Sequence, residues 1–133
     1  MKLVNRTKIA VSTVLVLTGC KKEDPLTPQQ MLEGKWIIQS QEMLGSVVPG
    51  DGSYLLFKSC SSSCDGVDYK AGDQTTGTIA YSLNSEATVL SITDNSADGG
   101  SWDADWDILE LTETDLRITT STAFGNVKVE MTK

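Results

Sequence analysis

The chain is predicted to be all-β: an antiparallel eight-stranded up-and-down barrel preceded by a short helix. Three observations carry this. After Gly34 helical spacing disappears, and short runs of period-two alternation take over. Hairpin-length turn signals separate those runs: "VPGDG", "CDG", "AGD", "LNSE", "DNSADGG", "TETD" and "AFGN". No βαβ unit or internal repeat interrupts the series, so consecutive strands are neighbours and the sheet is a meander. A meander of this length leaves two unpaired edges unless it closes, and closure gives a tilted barrel.

Residues 27–33, "TPQQMLE", read as the helix. Thr27 can cap it, Pro28 suits the first helical position, and Gln30 completes a capping box. Gly34 ends it. Strands are expected at 35–42, 53–59, 67–71, 76–83, 87–93, 101–111, 116–122 and 126–132. The clearest alternation sets Trp102, Ala104, Trp106 and Ile108 against Asp103, Asp105 and Asp107. A strand places these sets on opposite faces, the first toward a core and the second toward water. Leu109 and Leu111 break the phase, which predicts a bulge near Ile108 and Leu109. Further stripes are Ile79, Tyr81 and Leu83; Leu90 and Ile92; Leu116 and Ile118; and Val127, Val129 and Met131.

The first residues read as a targeting signal. Lys2, Arg6 and Lys8 form a basic region without acids, and "IAVSTVLVL" follows as an apolar run. That run is shorter than the ~20 residues a membrane span needs. Leu17-Thr18-Gly19-Cys20 resembles the bacterial lipobox, whose cysteine receives a diacylglycerol and becomes the new first residue. An ordinary secretory signal with an incidental cysteine is the competing reading. The expected organisation is a lipoprotein signal peptide at 1–19, a lipidated Cys20 with a tether at 20–29, and a barrel domain at 30–133. Lys21 stands where an aspartate would favour inner-membrane retention, so the outer membrane is expected. "KKED" resembles the export tag of Bacteroidota surface lipoproteins, and reads equally well as a charged tether.

The 133 residues less the first 19 leave 114, enough for one core. With three of 11 basic residues removed and all 18 acids kept, the net charge becomes 8 − 18 = −10. Such acidity argues against nucleic acid as a partner. The anchor is expected to be lipid alone and the protein a monomer.

Cys60 and Cys64, in "SCSSSC", are expected to form a disulfide outside the cytoplasm, the serines permitting the turn. A zinc site is disfavoured by two sulfurs and no histidine. The pair also lacks thioredoxin-like spacing. Five aspartates between Asp94 and Asp107 raise the question of calcium, but Ile108 follows Asp107 where an EF-hand pattern would continue with glycine. A turn and a solvated strand face explain them better. Without histidine there is no Ser-His pair, and neither cysteine has an adjacent base, so no catalysis, cofactor or metal is expected.

Gly34-Lys35-Trp36 opens the first strand directly after the helix. This resembles the G-x-W signature of lipocalins and related calycins, and "WDILELTETDLRIT" is similar to late strands of lipocalin-like domains in Bacteroidota lipoproteins. The resemblance covers about residues 30–133. It implies that Gly34 and Trp36 close one end of the barrel, with Trp36 under a basic side chain from a late strand, either Arg117 or Lys128. It also implies a small apolar ligand or a partner protein, the ligand entering at the other end and meeting Tyr81, Leu90, Ile92 and Trp106. A structural or interaction module with a packed barrel and no ligand is the alternative, in which Trp36, Trp102 and Trp106 simply fill the interior.

Overall fold

The structure, a computed structural model, describes residues 24–60, 64–96 and 101–133. Its one described helix, α1 (Pro28–Leu32), carries the expected capping box: the Thr27 hydroxyl accepts from the Gln30 N–H, and the Gln30 side chain accepts from the Thr27 N–H. Nine strands follow: β1 (Gly34–Met43), β2 (Ser46–Pro49), β3 (Tyr54–Phe57), β4 (Cys64–Lys70), β5 (Thr75–Leu83), β6 (Val89–Asp94), β7 (Ala104–Leu111), β8 (Asp115–Thr122) and β9 (Gly125–Thr132).

Every pairing is antiparallel, each strand from β3 to β9 pairs with the next, and β9 pairs back onto β1. Eight strands thus close a barrel, as the alternation predicts. The additional strand is β2. It pairs with Ser40–Met43 of β1, while β3 pairs with Gly34–Ile37. β2 and β3 therefore share one side of β1, split where residues 50–53 loop out. The Gly50 N–H donates to the Gln39 carbonyl at 2.8 Å, and the Ile38 N–H to the Ser53 carbonyl at 3.0 Å, on either side of that loop. The whole of "VPGDG" reads as a turn in the sequence, but its first residues extend the wall.

β4 also departs from expectation, beginning at Cys64 rather than at residue 67. "CDG" carries turn residues, yet it is strand because Gly66 faces inward where no side chain fits. A Cβ there would lie 2.3 Å from the Leu56 carbonyl oxygen and 2.9 Å from Ile79 Cγ1. The expected bulge is present: the β7–β8 register slips between Ile108 and Glu110, leaving Leu109 unpaired and exposed. A second slip in β1–β9 lies between Ile38 and Ser40.

The core is the inward stripe of every wall strand. Leu32, Trp36, Leu55, Phe57, Ile79, Leu90, Leu116 and Ile118 are all buried to within 1%. Asp103, Asp105 and Asp107 face water, while Trp102 and Trp106 face the interior with ring centroids 5.4 Å apart.

Candidate functional site

Because strands run alternately up and down, their connections divide between two ends. One end is closed. There α1 lies under Trp36, whose indole N–H donates to the Leu32 carbonyl at 2.6 Å. Gly34 leads into the strand at φ +123°, a conformation that suits glycine. The basic partner of Trp36 is Lys133, not Arg117 or Lys128. Its Nζ stands 4.8 Å from the Trp36 ring centroid and donates to the Met31 carbonyl at 2.6 Å. Strand parity explains the correction. Leu116 and Ile118 point inward, so Arg117 points out, where it pairs with Glu110. Val129 and Met131 likewise turn Lys128 outward, toward Glu42.

A polar belt completes this end. Gln29 Nε2 donates to the Tyr81 hydroxyl at 3.0 Å and to Glu33 Oε2 at 3.1 Å, and the Tyr81 hydroxyl donates to the Lys58 carbonyl. The bond from Gln29 holds the Glu33 carboxyl below its ordinary pKa against the opposing effect of burial, helped by the Cys60 N–H. Burial raises the Tyr81 phenol and lowers the Lys133 ammonium. Cys60 and Cys64 are joined in a disulfide, with Cα atoms 5.8 Å apart, beside this belt.

The other end is open. A cavity of about 1030 Å³ lies among the β1–β2 hairpin, the β2–β3 loop, the β4–β5 turn, the start of β7 and the β8–β9 turn. Its wall is mostly apolar: Ile38, Met43, Val127, Val129, Trp102 and Trp106. Leu44 and Phe124 stand at its rim, 76% and 81% exposed.

Within this apolar wall is a half-buried ion pair. Asp68, 2% exposed, accepts from Lys70 Nζ at 2.6 Å and from Trp102 Nε1 at 3.2 Å. Nearby, Asp94 organises the approach to β7. It accepts from the Ser96 N–H and hydroxyl and from the Trp102 N–H. Burial opposes ionisation of Asp94, but those hydrogen bonds and the Lys70 charge outweigh it and hold its pKa below the ordinary value.

Of the residues expected to meet a ligand, only Trp106 lines the cavity. Tyr81, Leu90 and Ile92 are packed in the filled part of the barrel, Tyr81 against Phe57 with centroids 4.8 Å apart. The closed half is solid because Trp36, Phe57 and Tyr81 occupy it together. Sequence reasoning missed Asp68, Lys70 and Trp102 as a group. The available signal was the phase of "CDGVDYK", in which Asp68 shares a face with Cys64 and Gly66. An acid in a strand ordinarily reads as outward-facing, and it takes Lys70 on the same strand together with the distant Trp102 to make the inward position tenable. Among the described residues no three His, Cys, Asp or Glu side chains converge as a metal site. Cys20 and the signal segment lie outside the described residues. Comparison with known proteins finds no family model matching this chain and no matching curated relative, so the functional reading rests on the barrel and its open-end cavity.

Proposed function

We propose that this chain is a lipid-anchored, cell-envelope lipocalin-like domain of the Bacteroidota lipoprotein type that binds a small, largely apolar ligand in its open-end cavity. The observation that carries this is the cavity itself: about 1030 Å³, walled by Ile38, Val129, Trp102 and Trp106, above a closed and filled half. Concave, mostly apolar sites with a few polar groups are what small-molecule recognition uses. The lipobox-like "LTGC" supports attachment through Cys20. The polypeptide reaches α1 at the closed end, so this attachment leaves the cavity mouth at the far end. Binding without turnover fits a chain that contains no histidine.

The test is titration with nile red, followed by its emission. Saturable binding is expected for the wild type. Val127→Phe, which fills part of the cavity, is expected to weaken it roughly tenfold through lost apolar contact. A wild type that shows no saturable binding refutes the ligand reading. The exposed rim formed by Leu44, Val48 and Phe124 favours a second reading, a protein partner seated on the same mouth.

A further inference from the structure

We infer that the ligand of this cavity is a cationic amphiphile, an apolar body bearing an ammonium-type head group drawn by the carboxylates of the lining. The inference rests on the proposed ligand-binding cup, the open-end cavity above its filled half, and narrows its ligand class. Among the described residues, four carboxylates line the cavity, those of Asp51, Asp68, Asp73 and Asp103, against one ammonium, that of Lys70, a charge of 1 − 4 = −3. Lys70 does not cancel them. Its charge is already shared between Asp68, 2.6 Å away, and Asp94, whose ionised form it stabilises. A concavity lined by one sign of charge with low-dielectric walls concentrates the opposite ion.

Three features convert that field into a site. Asp68 is fixed in the wall by Lys70 on one oxygen and Trp102 Nε1 on the other. Its side chain is only 3% exposed, so it acts on a head group through its charge across a low-dielectric wall rather than through an open acceptor position. The indoles of Trp102 and Trp106 line the same space, and aromatic faces attract cations. Met43, Leu44 and Phe124 toward the mouth match an apolar tail. A fatty-acid carboxylate meets the same apolar wall but the wrong charge, with only Lys70 among the described lining residues to receive it.

The experiment displaces nile red from the intact barrel domain with three molecules of equal tail, each below its micelle concentration: dodecylammonium, dodecanol and dodecanoate. Dodecylammonium is expected to displace best and dodecanoate worst, the two separated by roughly tenfold, as attraction to the lining carboxylates supports. Asp68→Asn should remove most of that preference. Asp73→Asn, in the exposed β4–β5 turn away from the core, should reduce it by a smaller step and guards against misfolding of the first variant. Dodecanoate equal to or better than dodecylammonium, or a preference unchanged in both variants, overturns the charge inference while nile red binding still upholds the cup. Failure of nile red to bind the wild type removes the cup and the inference with it.

Discussion

Trp36 is held from three directions: Leu32 accepts its indole N–H, Lys133 covers its ring, and the inward stripe surrounds its apolar edge. Its side chain is fully buried, so removing it empties a large volume that neighbouring strands, fixed by their ladders, cannot collapse to fill. Trp36→Ala is expected to cost ~3–5 kcal/mol, read from the shift in the urea midpoint. A loss below about 0.5 kcal/mol, the size of an ordinary surface change, would remove Trp36 from the closing role. Asp68 presents the opposite economy. Its burial is no aid to stability by itself, since desolvating an ion pair costs several kcal/mol per ion. The proposed cationic ligand would give its place in the wall a function.

Among the elements, the passage from β6 to β7 depends most on one side chain. Asp94 ends β6 and gathers the Ser96 and Trp102 N–H groups, while Asp103 Oδ1 accepts the Asp94 N–H in return. This exchange ties Trp102 and Asp103, just ahead of β7, to the end of β6. The folded pKa of Asp94 lies below its ordinary 3.8, so its contribution is fully present above that pH. As pH falls through the folded value, the carboxylate is protonated and the contribution disappears. The melting temperature of Asp94→Asn should therefore fall below that of the wild type at neutral pH. The gap should narrow as the pH drops below 3.8. A gap that stays constant across that range would mean the charged form does not hold the link.

For the whole molecule, the division of the barrel into a filled half and a hollow half sets how it is presented. α1, the disulfide and the Tyr81 belt gather at one end, and the two projecting hairpins with Leu44 and Phe124 at the other. Among the described residues no helix is long and apolar enough to cross a membrane. The proposed attachment through Cys20 is tested by fractionation. Cys20→Ser is expected to accumulate unprocessed or to leave the membrane fraction, and labelled fatty acid should be lost with it. A variant that keeps its mature mass and still fractionates with membranes would end the lipoprotein reading.

By itself the sequence determined the fold class, the capped helix, the inward stripes and the bulge at Leu109, because each depends on local periodicity or on backbone chemistry within a few residues. Trp102 and Trp106 against the three aspartates is such a pattern, legible without any partner. Only the tertiary structure decided which part of the interior is full. Tyr81, Leu90 and Ile92 have the same inward phase as Trp106, and period-two alternation states which face a residue takes but not how far along the barrel it stands or what stands opposite. Register between strands settles that, and it placed Lys133 over Trp36, put Gly66 inside a strand, and brought Trp102 to Asp68 across 34 residues of sequence. Partnership at that distance is a property of closure. Asp68 takes Lys70 from two residues along its own strand, but Trp102 reaches its other oxygen only once the chain has come round, and no local pattern records that it will.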